Sequence, residues 1–239
     1  MTTAVVVPAA GRGERLGAGA PKALVPVRGV PLLVHAVLGL AAAPSVASVV
    51  VAAPPDGVEP VRRALADALP DRPGLVTVVA GGSTRADSVA LGLAAVGPDV
   101  DVVLVHDAAR AFAPPALVET VVAAVRRGAP AVVPGVPVPD TVRKVAEDGT
   151  AHETPDRASL RAVQTPQGFR RAVLDEAYAR RSPSQPPTDD AALVEQLGVA
   201  VHVVAGSDEA FKVTRPVDLL LAEALLAARE AREAGGVEE

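Results

Sequence analysis

The feature that most constrains the fold is a series of short, Val-rich apolar runs separated by segments of helical length. The runs span residues 4–7, 48–53, 75–80, 100–105, 131–133 and 199–204. Their nearly continuous apolar character is typical of strands that are covered on both faces. The segments between them, such as 59–69, 84–95 and 117–127, carry their charges on one side, as amphipathic helices do. The alternation predicts an α/β fold, a Rossmann-like and mostly parallel sheet with helices on both faces.

One long stretch raises the question of a membrane span. Residues 29–55 contain no Asp, Glu, Lys or Arg, but Pro44 and Ser45 divide the stretch into a helix-like half and a β-branched half. Each half is too short to cross a bilayer, so we expect buried α/β core. The N-terminus lacks a charged region before its apolar run, which argues against a signal peptide. No membrane association is expected, and the predicted location is the cytoplasm.

Composition excludes several kinds of function. The 239 residues include three Phe, one Tyr and no Trp, so a base-stacking surface for single-stranded nucleic acid is excluded. The net charge of −5 provides no basic field for a polyanion, and no nucleic-acid partner is expected. The absence of Cys removes disulfides, thiolate metal sites and cysteine nucleophiles. A base bound here would have to be read mainly by main-chain and small polar groups.

The strand and helix alternation breaks between residues 136 and 170. An Asp148-Gly149 pair marks a turn inside this interval. We predict a single domain over residues 1–239 from which a β-hairpin arm projects at about 137–164. Such an arm would expose strand edges, so pairing with a second subunit is expected; the alternative is an excursion packed on its own monomer. From Pro216 onward the sequence predicts a closing amphipathic helix.

The loop after the first predicted strand has the strongest chemical signal. It reads PAAGRGERLG from residue 8 and is followed by Pro21-Lys22. Gly and Ala let main-chain N–H groups approach a phosphate chain, and Arg15 and Lys22 add two cations. The Rossmann fingerprint fails because Leu16 replaces its third Gly, and no Walker A sequence is present. A simple tight turn is the alternative, but two cations in an acidic protein favour phosphate binding.

Two further strand ends carry candidate residues. After the third run come two Gly residues and then Thr84 and Asp87 at capping-box spacing, which indicates either an anion site or an ordinary capped helix. The fourth run ends in His106, Asp107 and Arg110. A lone His at a strand end is more often structural than catalytic. Asp107 suits a metal-bridged phosphate or a ligand hydroxyl, and Arg110 suits a phosphate.

No nucleophile motif is present, neither Gly-x-Ser-x-Gly nor HExxH, and the four His residues are scattered. Chemistry without a covalent intermediate is therefore favoured. Phosphoryl or nucleotidyl transfer depends mainly on positioning and on cationic charge, which these loops supply.

Taken together and in order, the motifs resemble the 2-C-methyl-D-erythritol 4-phosphate cytidylyltransferases, the IspD family. The resemblance covers nearly the whole chain and rests on VVPAAGRGERLG with PK, GGSTRADSV, VHDAAR, PVPDTV, TPQGF, TDDA and KVTRPVDL. It implies transfer of the cytidylyl group of CTP to 2-C-methyl-D-erythritol 4-phosphate, with release of pyrophosphate and with Mg²⁺ as cofactor. It also implies a homodimer whose arm crosses to the second subunit.

The resemblance assigns roles residue by residue. Arg15 and Lys22 fall on the two catalytic cations. The CTP-binding positions are Pro8, Ala9, Ala10, Gly11, Gly82, Ser83 and Ser88. The positions on the methylerythritol-phosphate side are Asp107, Arg110, Thr141, Arg157, Thr188 and Lys212, of which Arg157 and Lys212 position that substrate. Arg110, Thr141 and Arg157 are expected to serve the neighbouring subunit's site, and no Mg²⁺ ligand is assigned.

Two other functions stay open on the sequence. A cytidylyltransferase that acts on ribitol 5-phosphate, a pentitol phosphate, belongs to the same superfamily, and its substrate differs little in charge. A nucleotide-sensing module without activity is the alternative from another class, although the intact Arg15, Lys22, Arg157 and Lys212 argue against it.

Overall fold

The computed structural model describes residues 1–11, 22–182 and 187–235. The strands are β1 (Thr2–Pro8), β2 (Pro26–Val27), β3 (Val30–Pro31), β4 (Val46–Ala53), β5 (Val76–Ala80), β6 (Val100–Val105), β7 (Ala131–Pro137), β8 (Lys144–Val145), β9 (Ala151–Glu153), β10 (Arg161–Val163), β11 (Gln167–Arg170) and β12 (Val201–Ala205). The helices are α1 (Leu32–Ala41), α2 (Val58–Ala68), α3 (Arg85–Ala94), α4 (Pro115–Arg126), α5 (Arg171–Ala179), α6 (Asp190–Glu195) and α7 (Pro216–Gly235).

The centre of the fold is a mixed sheet in which the described strands follow the order β12, β7, β11, β6, β1, β4, β5. β10 pairs with the end of β7. β1 is parallel to β4 and β6, β4 is parallel to β5, and β12 is parallel to β7. Each of the six Val-rich runs forms a strand, so the mostly parallel, Rossmann-like sheet is confirmed.

The sequence did not predict β11, which is antiparallel to both of its neighbours, β6 and β7. β11 fits between them because Gly168 has no side chain. A Cβ at Gly168 would lie 2.5 Å from Cγ1 of Val121, on the helix α4 that covers this part of the sheet. β11 thus joins two blocks of parallel strands, one made of β12 and β7 and the other of β6, β1, β4 and β5. The carboxyl ends of the strands in both blocks point in the same direction.

Helices cover both faces, as the sequence predicted. Alternate residues of β1 point to opposite sides, with Val5 and Val7 in one buried cluster and Ala4 and Val6 in another. The first cluster contains residues of α1, α2 and α4, and the second contains residues of α3, α5 and α6. This double coverage explains why the strands are continuously apolar.

The charge-free stretch 29–55 folds into α1 and β4, which are joined by a short turn. In the described parts of the chain, no helix combines the length and the apolar character that a membrane crossing requires. The predicted closing helix is present as α7, which starts at Pro216 and buries Ala222 against a small cluster containing Phe112 and Val213.

The predicted hairpin is also present. β8 and β9 pair antiparallel around a turn in which Gly149 has φ +87° and Asp148 accepts a hydrogen bond from the Thr150 N–H at 2.8 Å. From residue 139 to residue 163 every side chain is exposed except Pro155 and Leu160, which are half-buried. This segment therefore contributes little to the described core of its own subunit.

Candidate active site

The loops that follow β1, β5 and β6 meet at one edge of the sheet, because the carboxyl ends of parallel strands lie side by side. The chain leaving β1 stays attached to β4 through the Ala9 N–H, which donates to the Ala52 carbonyl at 2.8 Å. The chain leaving β5 is held in the same way, since the Gly81 N–H donates to the Ala53 carbonyl at 2.7 Å. Pro8, Ala9, Ala10, Gly11 and Gly82 thus lie at one sheet edge.

Close contact between the β1 and β5 loops depends on Gly81. A Cβ on Gly81 would lie 2.7 Å from the Ala10 Cβ and 2.9 Å from the Ser88 Oγ. Ser88 is buried, and its hydroxyl accepts from the Gly82 N–H at 3.1 Å and donates to the Thr84 carbonyl at 2.9 Å. The structure therefore places Ser88 beneath the Gly81-Gly82 loop, where it fixes the loop's conformation.

The predicted capping box at the start of α3 is confirmed. The Asp87 N–H donates to Thr84 Oγ1 at 3.0 Å, and the Asp87 carboxylate accepts from the Thr84 N–H at 3.2 Å. The same carboxylate accepts from the Ser83 hydroxyl at 3.0 Å and from Arg181 at 2.5 Å. Hydrogen bonds from Thr84, Arg181 and Ser83 lower the pKa of Asp87 to about 2. Ser83 itself is exposed.

His106 is buried and serves as a structural link, in agreement with the expectation from sequence. Its Nε2 lies 3.2 Å from the Arg110 carbonyl, so we assign the proton to Nε2. Its Nδ1 then accepts from the Thr165 hydroxyl at 3.1 Å, and Thr165 Oγ1 accepts from the Asp107 N–H at 3.0 Å. Burial lowers the pKa of His106 to about 4, so the ring is neutral near pH 7.

Asp107 lies between two cations at the end of β6. Its Oδ1 accepts from Arg85 Nε at 2.9 Å, and its Oδ2 accepts from Lys212 Nζ at 2.6 Å. Burial acts to raise the pKa of Asp107, but Arg85 and Lys212 hold the pKa well below its usual value. Asp107 is therefore ionised near neutral pH.

Arg85 also contacts a second carboxylate. Its Nη2 donates to Asp190 Oδ2 at 2.7 Å, and Asp190 Oδ1 accepts from the Tyr178 hydroxyl at 2.6 Å. Burial acts to lower the pKa of Arg85, but Asp190 and Asp107 raise it further above its usual value. For Tyr178, burial and the Asp190 charge both raise the pKa of the phenol.

Arg110 is held by main-chain carbonyls. It donates to the Ala210 carbonyl at 2.8 Å and to the Val163 carbonyl at 3.0 Å, so it connects the β6 loop to β10 and to the chain before α7. Its Nε is buried and has no hydrogen-bond partner among the described residues. Burial lowers the pKa of Arg110.

The other predicted substrate residues lie farther along the chain. Thr141 and Arg157 are exposed residues of the 137–164 segment, and Arg157 donates to the Pro139 carbonyl at 2.9 Å. Thr188 is exposed and immediately precedes Asp189, whose side chain caps α6. Among the described residues, a hydrogen bond joins Lys212 to Asp107, whereas the hydrogen bond from Arg157 to Pro139 stays within the 137–164 segment.

The structure does not describe the side chain of either predicted catalytic cation. Arg15 falls between the described ranges, and Lys22 is described only as the first main-chain position of a 3₁₀ turn (Lys22–Leu24). Their roles stay predictions from the sequence.

Sequence reasoning missed Arg85, Thr165, Tyr178 and Asp190. One signal was available for Arg85, because an Arg in the first turn of a helix opposes the helix dipole unless a carboxylate lies nearby. The partners could not be identified in this way, since Asp190 is 105 residues away from Arg85 in the chain. Thr165 and Tyr178 carried no comparable signal.

No group of three or more His, Asp or Glu side chains in the described ranges is arranged to hold a metal ion. Both carboxylate oxygens of Asp107 already accept hydrogen bonds from cations.

Comparison with known proteins gives a consistent result. The family model for 2-C-methyl-D-erythritol 4-phosphate cytidylyltransferase, IspD, matches residues 3–228. The protein of that name from Streptomyces coelicolor is 57% identical over an alignment 234 residues long, which covers 95% of this chain and 86% of the relative.

Solved structures agree with the sequence relatives. The crystal structure of 2-C-methyl-D-erythritol 4-phosphate cytidylyltransferase from Thermus thermophilus is 42% identical, covers 94% of this chain and 98% of that chain, and has a TM-score of 0.75. The 4-diphosphocytidyl-2C-methyl-D-erythritol synthase from Anaerococcus prevotii is 26% identical, covers 95% and 96% of the two chains, and has a TM-score of 0.82. With its sheet-edge loops, its motifs and these matches in agreement, the chain belongs to the IspD family of cytidylyltransferases.

Proposed function

We propose that this enzyme transfers the cytidylyl group of CTP to 2-C-methyl-D-erythritol 4-phosphate in isoprenoid precursor biosynthesis. A phosphate oxygen of the alcohol phosphate attacks the α-phosphorus of CTP, the bond from that phosphorus to the β-phosphate oxygen breaks, and pyrophosphate leaves. The products are 4-diphosphocytidyl-2-C-methyl-D-erythritol and pyrophosphate. The observation that carries the proposal is the family match over residues 3–228, with a relative 57% identical.

CTP is proposed to bind where the β1 and β5 loops meet. The residues on this side are Pro8, Ala9, Ala10, Gly11, Gly82, Ser83 and Ser88. Their small side chains leave main-chain groups accessible to the edge of the cytosine ring, so a protein with few aromatic residues can read one base. Ser88 contributes by fixing the Gly81-Gly82 loop with its hydrogen bonds to Gly82 and Thr84.

The alcohol phosphate is proposed to bind beside the Asp107–Lys212 ion pair. The Lys212 ammonium provides charge for the phosphate, and Asp107 is an acceptor for a substrate hydroxyl. Arg110, Thr141, Arg157 and Thr188 are assigned to the same substrate, with Arg157 as the second positioning cation.

Arg15 and Lys22 are proposed as the catalytic residues. Negative charge accumulates on the oxygens around the α-phosphorus during in-line displacement, and two fixed cations stabilise that charge more in the transition state than in the ground state. Mg²⁺ is the proposed cofactor, bound mainly through the triphosphate, where it neutralises phosphate charge.

The active form is proposed to be a cytoplasmic homodimer formed through the arm at 137–164. A two-stranded ribbon is marginally stable alone in water, and β8 and β9 are only two and three residues long. Val142, Val145 and Val163 are among the exposed apolar side chains of this arm. Burial of these residues against a second subunit would account for the arm's exposure and would bring Arg157 and Thr141 to the neighbouring site.

The function is tested by incubating the purified protein with CTP, Mg²⁺ and either 2-C-methyl-D-erythritol 4-phosphate or ribitol 5-phosphate. Pyrophosphate release and ³¹P NMR of the product are measured for each alcohol phosphate. We expect faster turnover of methylerythritol phosphate. Faster turnover of ribitol phosphate would overturn the substrate assignment, and CTP binding without turnover of either would indicate a nucleotide sensor.

The dimer is tested by sedimentation. The wild-type protein should sediment as a dimer, and the double variant Val142→Asp, Val145→Asp should sediment as a monomer because the substitutions place charges in the proposed interface. Leu91→Asp, which changes an exposed apolar residue of α3, is the matched control and should remain dimeric. A wild-type monomer at micromolar concentration would contradict the proposal.

A further inference from the structure

A row of alternating charges connects four separate segments of the chain at the proposed site. In order, the groups are the Lys212 ammonium, the Asp107 carboxylate, the Arg85 guanidinium and the Asp190 carboxylate. We propose that Arg85 is a positioning residue that orients Asp107 and, through it, Lys212 for the alcohol-phosphate substrate. The inference rests on the proposed function, because it assigns Asp107 and Lys212 to that substrate.

The geometry of the Arg85 guanidinium group couples two carboxylates. Arg85 donates through Nε to Asp107 and through Nη2 to Asp190, at 2.9 and 2.7 Å. The donors of a guanidinium lie in one rigid plane, so fixing one end of the plane fixes the other. The orientation of the Asp107 carboxylate is thereby coupled to the position of Asp190.

The Asp190 end of this row of charges is firmly held. Asp190 is 1% exposed, and its other oxygen accepts from the Tyr178 hydroxyl at 2.6 Å. It begins α6, whose first turn is capped by the Asp189 side chain bonded to the Ala192 N–H at 2.8 Å. A buried carboxylate without a cation is unfavourable, so Asp190 also holds Arg85 in place.

At the other end of the row, Asp107 connects Arg85 to Lys212. Asp107 has two carboxylate oxygens, one bound to Arg85 and the other to Lys212 at 2.6 Å. Lys212 is 42% exposed and carries a flexible side chain, so its contact with Asp107 limits where its ammonium lies. Loss of Arg85 would free the Asp107 carboxylate to rotate and would weaken the placement of Lys212.

A purely structural role for Arg85 makes a different prediction. Arg85 joins α3 to α6, and removing it would then lower stability without changing the use of one substrate selectively. Arg181 provides a matched control. Like Arg85, it is partly buried and forms an ion pair with a carboxylate, but its described partner is Asp87 at the start of α3 and not Asp107.

The experiment compares Arg85→Gln and Arg181→Gln with the wild type. Thermal stability is measured, together with kcat and KM for CTP and for 2-C-methyl-D-erythritol 4-phosphate. We expect Arg85→Gln to lose more thermal stability than Arg181→Gln, because it leaves the buried Asp190 carboxylate without its cation, whereas Asp87 is partly exposed. Only Arg85→Gln should raise the KM for the alcohol phosphate, by roughly tenfold, since a hydrogen bond to a charged group is lost. Its KM for CTP should change by less than about threefold, because CTP binds mainly through the β1 and β5 loops.

If Arg85→Gln does not fold, the variant Arg85→Lys tests the positioning role instead. The Lys side chain retains the charge but cannot bond both carboxylates in one plane, so the KM for the alcohol phosphate should rise by several-fold. An unchanged KM in a folded Arg85 variant, or an equal rise in Arg181→Gln, would overturn the positioning role. Absence of wild-type turnover with methylerythritol phosphate would instead refute the proposed function, so the two failures are distinguishable.

Discussion

The contact between the β1 and β5 loops yields the most direct quantitative prediction, for Gly81→Ala. The new Cβ would lie 2.7 Å from the Ala10 Cβ, whereas carbon atoms in contact normally lie about 3.5–4.0 Å apart. Neither neighbour can move away easily. The chain at Ala10 follows Ala9, whose N–H is bonded to the Ala52 carbonyl, and the Ser88 hydroxyl, 2.9 Å from the new atom, holds Gly82 and Thr84.

Overpacking of this kind costs typically 1–3 kcal/mol, and we expect about 2 kcal/mol because both neighbours are fixed. For a protein of this size that loss corresponds to a fall in Tm of about 4–8 °C. If the atoms relax by moving Ala10, the loop that is proposed to read cytosine moves with it, and the KM for CTP should rise roughly tenfold.

Gly97→Ala is the matched control, because a Cβ at Gly97 meets nothing within 4 Å and its φ is not in the left-handed region. It should change the free energy of unfolding by less than about 1 kcal/mol. Urea unfolding and steady-state kinetics with varied CTP measure both effects. If Gly81→Ala and Gly97→Ala had the same free energy of unfolding and the same KM for CTP, the close packing of the β1 and β5 loops around Gly81 would be refuted.

Three further outcomes are expected. Lys22→Ala should lower kcat by roughly 10²-fold or more with a smaller change in the KM for CTP; a loss confined to KM would show that Lys22 only binds ground-state triphosphate. Arg157→Ala should chiefly raise the KM for methylerythritol phosphate, and an unchanged value would remove Arg157 from that site. Burial lowers the pKa of His106 to about 4, below its value of 6.5 in the unfolded chain. Between pH 6.5 and pH 4 the unfolded chain therefore binds more protons than the folded protein, so the stability of the fold decreases as the pH falls through this range. Urea unfolding at pH 7 and pH 5 should show a smaller decrease in His106→Gln than in the wild type, and equal decreases would contradict the buried neutral ring.

The parallel strands and their helices could be predicted because both faces of the sheet are buried. Double burial leaves a continuous apolar run in the sequence, and each of the six runs became a strand. The capping box at Thr84 and the turn at Asp148-Gly149 were predictable for a different reason, because both depend on hydrogen bonds between residues close in the chain.

Two features could not be predicted because they depend on distant residues. β11 is a four-residue strand without an alternating pattern, and its place is determined by the gap between β6 and β7. The Arg85–Asp190 ion pair joins residues from opposite halves of the chain. Its Arg carried a local signal at the start of a helix, but nothing in the sequence around Asp190 indicates that this carboxylate is buried.

The position of β11 also determines the order in which the sheet can be completed during translation. β6 and β7 leave the ribosome before β11, yet no described pairing joins them directly, so the two blocks of the sheet stay separate until residues 167–170 emerge. For several seconds at ordinary elongation rates, one edge of β6 has unpaired N–H and C=O groups. An unpaired strand edge of this kind can pair with another chain, so aggregation competes with folding until β11 is in place.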